Sequence, residues 1–352
     1  MLAWWRGRTL APHFERSSDY TIVVPVYGHP RYFADRAHLL REQASVLVAL
    51  DPRGPGMAAF AGELEAEGWR VAFATPDQPS PPTLIAAVLD QIRTRYLVRM
   101  DGDTRCLEDL GRYVAAMDRA GADVASTKVE VADAKGIARR FQQLEYRMAM
   151  LSRHYRPWLT SGACTVATTT AWRAIFACHS MWTPGEDIET GRVAFALKLR
   201  IRHLDLRVET EAPDSWGDLF RQRRLWWAGN FRHTIVNFDK NAVQLPVWSF
   251  YYLGLVWLGV YFKWDSLIGY LQPFVLLQAL LALFVVYALV TFIANWQVRS
   301  WGMIVYPPYA LLQAILMPTV GSVYYLKLAR RYGRLGRYRI GYRRRASDGA
   351  PA

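Results

Sequence analysis

Short apolar runs punctuate the first part of the chain, and their residue types say what they form. Thr21–Tyr27 (TIVVPVY), Ser45–Leu50 (SVLVAL), Arg70–Ala74 and Tyr96–Met100 are mostly apolar and rich in valine. Continuous runs of this kind predict strands covered on both faces, as in a parallel sheet. Helical material containing Leu64 separates the second and third runs, and Pro82-Thr83 opens a helix that continues to Ile92. Strand and helix alternate at a spacing of roughly 25 residues, which predicts a doubly wound α/β sheet with ligands at the C-terminal ends of its strands. Farther along, Asp123–Val131 reads as another strand and Phe141–Arg153 as an amphipathic helix. Arg200–Val208 alternates basic and apolar residues like an exposed strand, and Asp218–Asn230 reads as a helix.

Beyond Asn237 the pattern changes to three long apolar stretches, Pro246–Phe262, Leu267–Ala294 and Met303–Leu326. The second exceeds the ~20 residues that cross a bilayer, and the first falls short of them. Pro307, Pro308 and Pro318 interrupt the third. A catalytic domain and a basic tail that both face the cytosol require an even number of crossings, so the third stretch is expected to be interfacial or re-entrant. The 14 tryptophans and 19 tyrosines, many flanking these stretches, suit membrane interfaces. Of the formal charge of +13, the nine Lys/Arg of Lys327–Arg345 account for all but +4. A basic block after an apolar segment points to the cytosolic face of an anionic inner (plasma) membrane and away from nucleic acid. Three cysteines without metal-ligand spacing suit a reducing compartment. The expected organisation is an amphipathic or disordered start (1–20), a catalytic domain (21–240), transmembrane and interfacial helices (241–326) and a basic cytosolic tail (327–352).

Candidate chemistry centres on Arg99-Met100-Asp101-Gly102-Asp103-Thr104 at the end of the fourth strand. Asp101 and Asp103, with only a glycine between them, can both reach one divalent cation, and oxygen ligands suit Mg²⁺ or Mn²⁺. Asp51 also falls at a strand end, as a ligand contact or as a turn cap. Ser161-Gly162 belongs to a patch of small residues where a ligand could approach the backbone. Glu186, Asp187 and Glu189 cluster at a helix start, where acid–base chemistry and ordinary dipole capping are the two readings. Arg221–Gly229 crowds cations and two indoles just before the apolar region, as a site or as an interfacial anchor.

Taken in order, these stations resemble the family 2 glycosyltransferases, specifically the membrane-bound synthases of cellulose, chitin and hyaluronan. The resemblance runs from Thr21 to Trp227. It implies a GT-A type, Rossmann-like α/β domain followed by C-terminal transmembrane or interfacial helices, and inverting transfer from a nucleotide-diphosphate sugar, most simply a UDP-sugar. In that frame Pro25, Tyr27 and Asp51 would border the nucleobase, and Asp101 and Asp103 would hold the metal at the diphosphate. Ser161, Gly162 and Trp226 would border the glycan acceptor. Asp187, beside Glu186, would be the catalytic base, and Gln222, Arg223 and Arg224 would be further donors to the leaving nucleotide. Leu225 stands where the synthases' Gln-x-x-Arg-Trp motif has arginine. Ile340–Arg343 and Trp301-Gly302 are weakly similar to a gating motif of the hyaluronan and chitin synthases. The expected product is a β-linked polysaccharide made at the bilayer, with a homo-oligomer or a secretion partner completing the channel. The alternatives are transfer of one sugar to a lipid carrier, as by dolichyl-phosphate sugar synthases, and an inactive membrane scaffold.

Overall fold

The structure, a computed structural model, describes residues 9–153, 160–238 and 302–339, and between the last two 281, 284–286, 288–289, 291–293 and 295–296. The apolar stretch Pro246–Phe262, most of Leu267–Ala294, residues 1–8, Trp301 and the tail Ile340–Arg343 lie outside the described residues. The chain divides into two compact units, Met1–Leu219 and Phe220–Ala352.

In the first unit, the valine-rich runs form the strands their composition predicts. After β1 (Thr9–Leu10) come β2 (Tyr20–Val26), β3 (Val46–Leu50), α1 (Met57–Ala66), β4 (Arg70–Phe73), α2 (Pro81–Val88), β5 (Tyr96–Met100) and β6 (Arg105–Cys106). They are followed by α3 (Leu110–Arg119), β7 (Val124–Val131), α4 (Ile137–Ser152), β8 (Cys164–Thr168), α5 (Thr169–Cys178), α6 (Glu186–Ala196) and β9 (Ile201–Thr210). The strands make one sheet in the order β1-β9-β7-β8-β5-β2-β3-β4, with β6 paired to β9. Every residue of β2, β3 and β5 is buried, so their core needs no polar face.

Two expectations need correction. The sheet is mixed and not uniformly parallel, because β8 runs antiparallel to both β5 and β7. Nor is the strand at 200–208 exposed. β9 has β7 on one side and β1 on the other, and it buries Ile201, His203, Leu204, Leu206 and Val208. Arg202 and Arg207 are less buried, and the two-residue alternation changes phase between His203 and Leu204, where the register with β7 shifts. The start of the chain is also tied down past residue 8. β1 pairs with β9, and the His13 and Ser17 amides donate to Arg112 and Gly111 of α3.

Pro25 shapes the rim of this sheet. Pairing between β2 and β3 runs to Val26–Leu50, but pairing between β2 and β5 stops at Val23–Arg99. Val26 accepts from the Asp51 amide on the β3 side, so Pro25, one residue earlier, faces β5 with no N–H to give. The two strands part there, at the C-terminal ends where open α/β sheets bind ligands.

In the second unit, α7 (Trp216–Phe231), which begins at the end of the first, continues into a π-helical turn at Arg232–Val236. α8 (Gly302–Tyr332) runs unbroken through all three prolines that interrupt its apolar pattern. Gly321 lets it lie directly on α7, since a Cβ there would sit 2.7 Å from the Trp227 carbonyl oxygen. The indole of Trp227 donates to Gln313 at 3.3 Å, and Arg224 covers the ring of Tyr324. After α8 the chain turns back, and buried Arg232 and Asn237 both donate to the carbonyl of Gly336. Among the described residues, no helix is long and apolar enough to cross a membrane.

Candidate active site

Three chain segments meet at the rim of β5 and β8. β5 delivers Arg99 and then Asp101, whose amide donates to the Ala163 carbonyl at the entry to antiparallel β8. That pairing brings Ser161 and Gly162 beside the aspartate. The third segment is the first turn of α6, which carries Glu186 and Asp187. The Gly162 amide donates to Asp187 Oδ2 at 3.2 Å, and the Thr160 hydroxyl donates to the Asp187 carbonyl. Gly162 lies among the side chains of Arg99, Asp101 and Asp187. A Cβ there would lie 3.4 Å from Arg99 Nη2, 3.7 Å from Asp101 Oδ2 and 3.8 Å from Asp187 Cβ. Those three distances also define the centre of the site.

The electrostatics follow from three acids sharing one internal cation. The Arg99 side chain is only 3% exposed and lies 3.2 Å from Glu186 Oε1 and 3.8 Å from Asp101 Oδ1. Burial disfavours its charge, but Asp101, Glu186 and Asp187 outweigh that and hold the guanidinium more firmly protonated than usual. The Asp101 carboxyl is pushed up to about 7, first by burial, against the pull of Arg99, and further by Asp103, Glu186 and Asp187. Asp187 is raised to about 6, again first by burial and then by Glu186, with Arg99 and the amides of Ile188 and Gly162 opposing.

Asp103 is exposed and accepts from the Thr210 hydroxyl at 3.3 Å. Among the described residues, no group of three or more His, Cys, Asp and Glu side chains is arranged to hold a metal by itself. The excess of carboxylate over guanidinium, and the hard oxygen donors of Asp101 and Asp103, nonetheless fit a divalent cation whose remaining ligands come from a phosphate or water.

The structure gathers Asp101, Ser161, Gly162, Glu186 and Asp187 in one place. Pro25, Tyr27 and Asp51 stand along the same rim, at the ends of β2 and β3. Asp51 is buried, and Arg53 grips it through Nε at 2.8 Å and Nη2 at 2.9 Å. This grip, stronger than the opposing effect of burial, holds the Asp51 carboxyl below the usual range. Gln222, Arg223, Arg224 and Trp226 belong to the second unit. There Arg223 is buried, donates to Gln222 Oε1 at 2.7 Å and lies 4.2 Å from the centre of the Trp226 ring. Glu189, the third acid of the helix start, is fully buried and accepts from the amide and hydroxyl of Ser180, so it fastens the loop beneath α6. Sequence reasoning left Arg99, Thr160 and Thr183 without a role. Only Arg99 carried a usable signal, a charge inside an otherwise apolar strand.

A mixed α/β sheet with β8 antiparallel between β5 and β7, and with Asp101 at a strand end, fits the Rossmann-like fold of the GT-A type. The chain belongs to the glycosyl transferase family group 2, whose family model matches residues 96–295. Its fold is similar to that of the mannosyltransferase PcManGT from Pyrobaculum calidifontis, solved in complex with GDP-Man and Mn²⁺. That match has a TM-score of 0.57 and 14% identity, and it covers 92% of this chain and 94% of that one. A more distant likeness is to glucosyl-3-phosphoglycerate synthase from Mycobacterium tuberculosis, in complex with phosphoglyceric acid, with a TM-score of 0.39, 13% identity, and 65% and 79% of the two chains covered. A search of curated proteins found no match to this chain. The protein is a glycosyltransferase of the family 2 type.

Proposed function

We propose that this chain is a membrane-integrated, inverting glycosyltransferase with Asp187 as general base and with Asp101 and Asp103 facing the donor diphosphate. The observation that carries the reading is the raised carboxyl of Asp187, held by the Gly162 amide within one cluster with Asp101. A base with its pKa near the working pH is matched to removing a proton from an acceptor hydroxyl. The hydroxyl oxygen attacks the anomeric carbon from the face opposite the nucleotide, its proton passes to Asp187, and the bond to the diphosphate breaks. A Mg²⁺ or Mn²⁺ ion held by Asp101 and Asp103 would neutralise charge on the departing diphosphate. Gln222, Arg223 and Arg224 are assigned to the same charge, Trp226 to stacking on the acceptor sugar together with Ser161 and Gly162, and Pro25, Tyr27 and Asp51 to the nucleobase. The apolar stretches between 246 and 326 and the basic tail support a place on the cytosolic face of the inner membrane.

On the acceptor side, the synthase-like order of motifs supports elongation of a β-linked polysaccharide from a UDP-sugar. A second reading, one transfer to a lipid carrier, is favoured by Leu225 in place of the polymerising motif's arginine. The test uses detergent-purified full-length protein, Mn²⁺ or Mg²⁺, and a panel of radiolabelled UDP- and GDP-sugars, with products sized before and after glycan-specific digestion. A long product supports the polymerase. A single sugar in the lipid extract supports the lipid-carrier enzyme. No turnover of any donor overturns the catalytic assignment.

A further inference from the structure

Arg99 is an awkward residue for its position. The other residues of β5 are Tyr96, Leu97, Val98 and Met100, all buried, and β5 is hydrogen-bonded on both sides by β2 and β8. Replacing a buried ion pair with a well-packed apolar side chain is often neutral or stabilising, so folding alone does not call for arginine here. The Arg99 Nε is buried with no hydrogen-bond partner, a further cost that the strand bears. What the side chain accomplishes lies at its other end. Nη2 reaches Glu186 Oε1 at 3.2 Å, Asp101 Oδ1 at 3.8 Å and the open face of Gly162.

Both carboxylate oxygens of Glu186 already hold partners. Oε1 takes the Arg99 bond and Oε2 accepts from the Thr183 hydroxyl at 3.1 Å. It is the first residue of α6, and Asp187 is the second.

We propose that Arg99 is a positioning residue, which acts through Glu186 to fix the first turn of α6 against the end of β5 and so sets Asp187 relative to Asp101. The inference rests on the functional reading above, in which Asp187 is the base. It also moves Glu186 from the catalytic group, where its place in the motif suggested it, to the frame that holds the base. Arginine suits the task because its planar fork fixes direction as well as charge, which the point charge of lysine does not.

The test is a double-mutant cycle in the full-length, detergent-purified enzyme with Arg99→Met, Glu186→Gln and the pair combined. Each single variant is expected to lower kcat about 100-fold, the effect of a misplacement near 1 Å. The dissociation constant for the nucleoside diphosphate with Mn²⁺ should stay within about twofold of wild type, which also reports an intact fold. The combined variant should be no slower than the slower single one, since both changes cut the same link. Arg99→Lys should recover part of the lost kcat, and it carries the comparison if Arg99→Met does not fold. Independent losses that multiply in the double variant, or wild-type kcat in Arg99→Met, overturn the inference and leave the base assignment standing. A wild-type enzyme inactive with every donor overturns both.

Discussion

Asp187 sits where its surroundings oppose its charge, and that makes it the most informative single residue to change. Asp187→Asn is expected to lower transfer by about 10²–10⁴-fold, the usual worth of a positioned base, with nucleotide binding nearly intact. Loss of both together would point to misfolding. In the wild type, log kcat/KM should fall with unit slope as pH drops below about 6, because the base is then protonated. Stability should respond with the opposite sign. A carboxyl raised in the folded state costs stability that appears as pH rises above 3.8 and is complete above about 6. Asp187→Asn should therefore melt higher than wild type above pH 6, with at most about 3 kcal/mol to gain, and match it at low pH. Asp51 behaves conversely. Its lowered carboxyl contributes stability above the ordinary value of 3.8 that is lost as pH falls through its folded pKa. At this scale Asp51, Asp101 and Asp103 were readable because they follow apolar runs that predict strands, and Glu186 and Asp187 because they cluster at a helix start. The Arg99–Glu186 tie was not, since it joins residues 87 positions apart.

At the scale of elements, the site depends on two short connections. Ser180 fastens the loop before α6 to the buried Glu189 carboxylate at 2.7 Å. Ser180→Ala should cost about 1–3 kcal/mol in urea unfolding by leaving that acceptor short of a partner. Gly162→Ala places a methyl at ordinary contact distances of 3.4–3.8 Å, so the melting temperature should hardly move while kcat/KM falls. A melting temperature that collapses would instead mean that the loop is packed more tightly than these distances allow. The strands were legible to very different degrees. β2, β3 and β5 announce themselves as apolar valine-rich runs, whereas β8 (CTVAT) is short and mixes small polar with apolar residues. Its direction, which makes the sheet mixed, follows from tertiary pairing with β5 and β7 and from no local signal. β9 was misplaced for a related reason, because alternation reports one polar face and not whether both edges are paired. The prolines of α8 interrupt its apolar pattern without ending the helix, which runs from Gly302 to Tyr332.

For the whole molecule, the predictions concern the metal and the membrane. Chelation should abolish transfer, and added Mn²⁺ or Mg²⁺ should restore it; activity undiminished by chelator would remove Asp101 and Asp103 from the metal role. The protein should sediment with inner-membrane vesicles and stay there in high salt. Release by salt would replace integration with surface attachment through the basic tail. The separation between Arg99 and Glu186 has a consequence during synthesis. At about 5–20 residues per second, a ribosome takes roughly 4–17 s to travel from one to the other. Throughout that interval the nascent chain carries the residues of β5 without the helix that supplies the proposed base. On the proposed reading, such a chain holds the residues assigned to the nucleotide but cannot transfer sugar until α6 emerges.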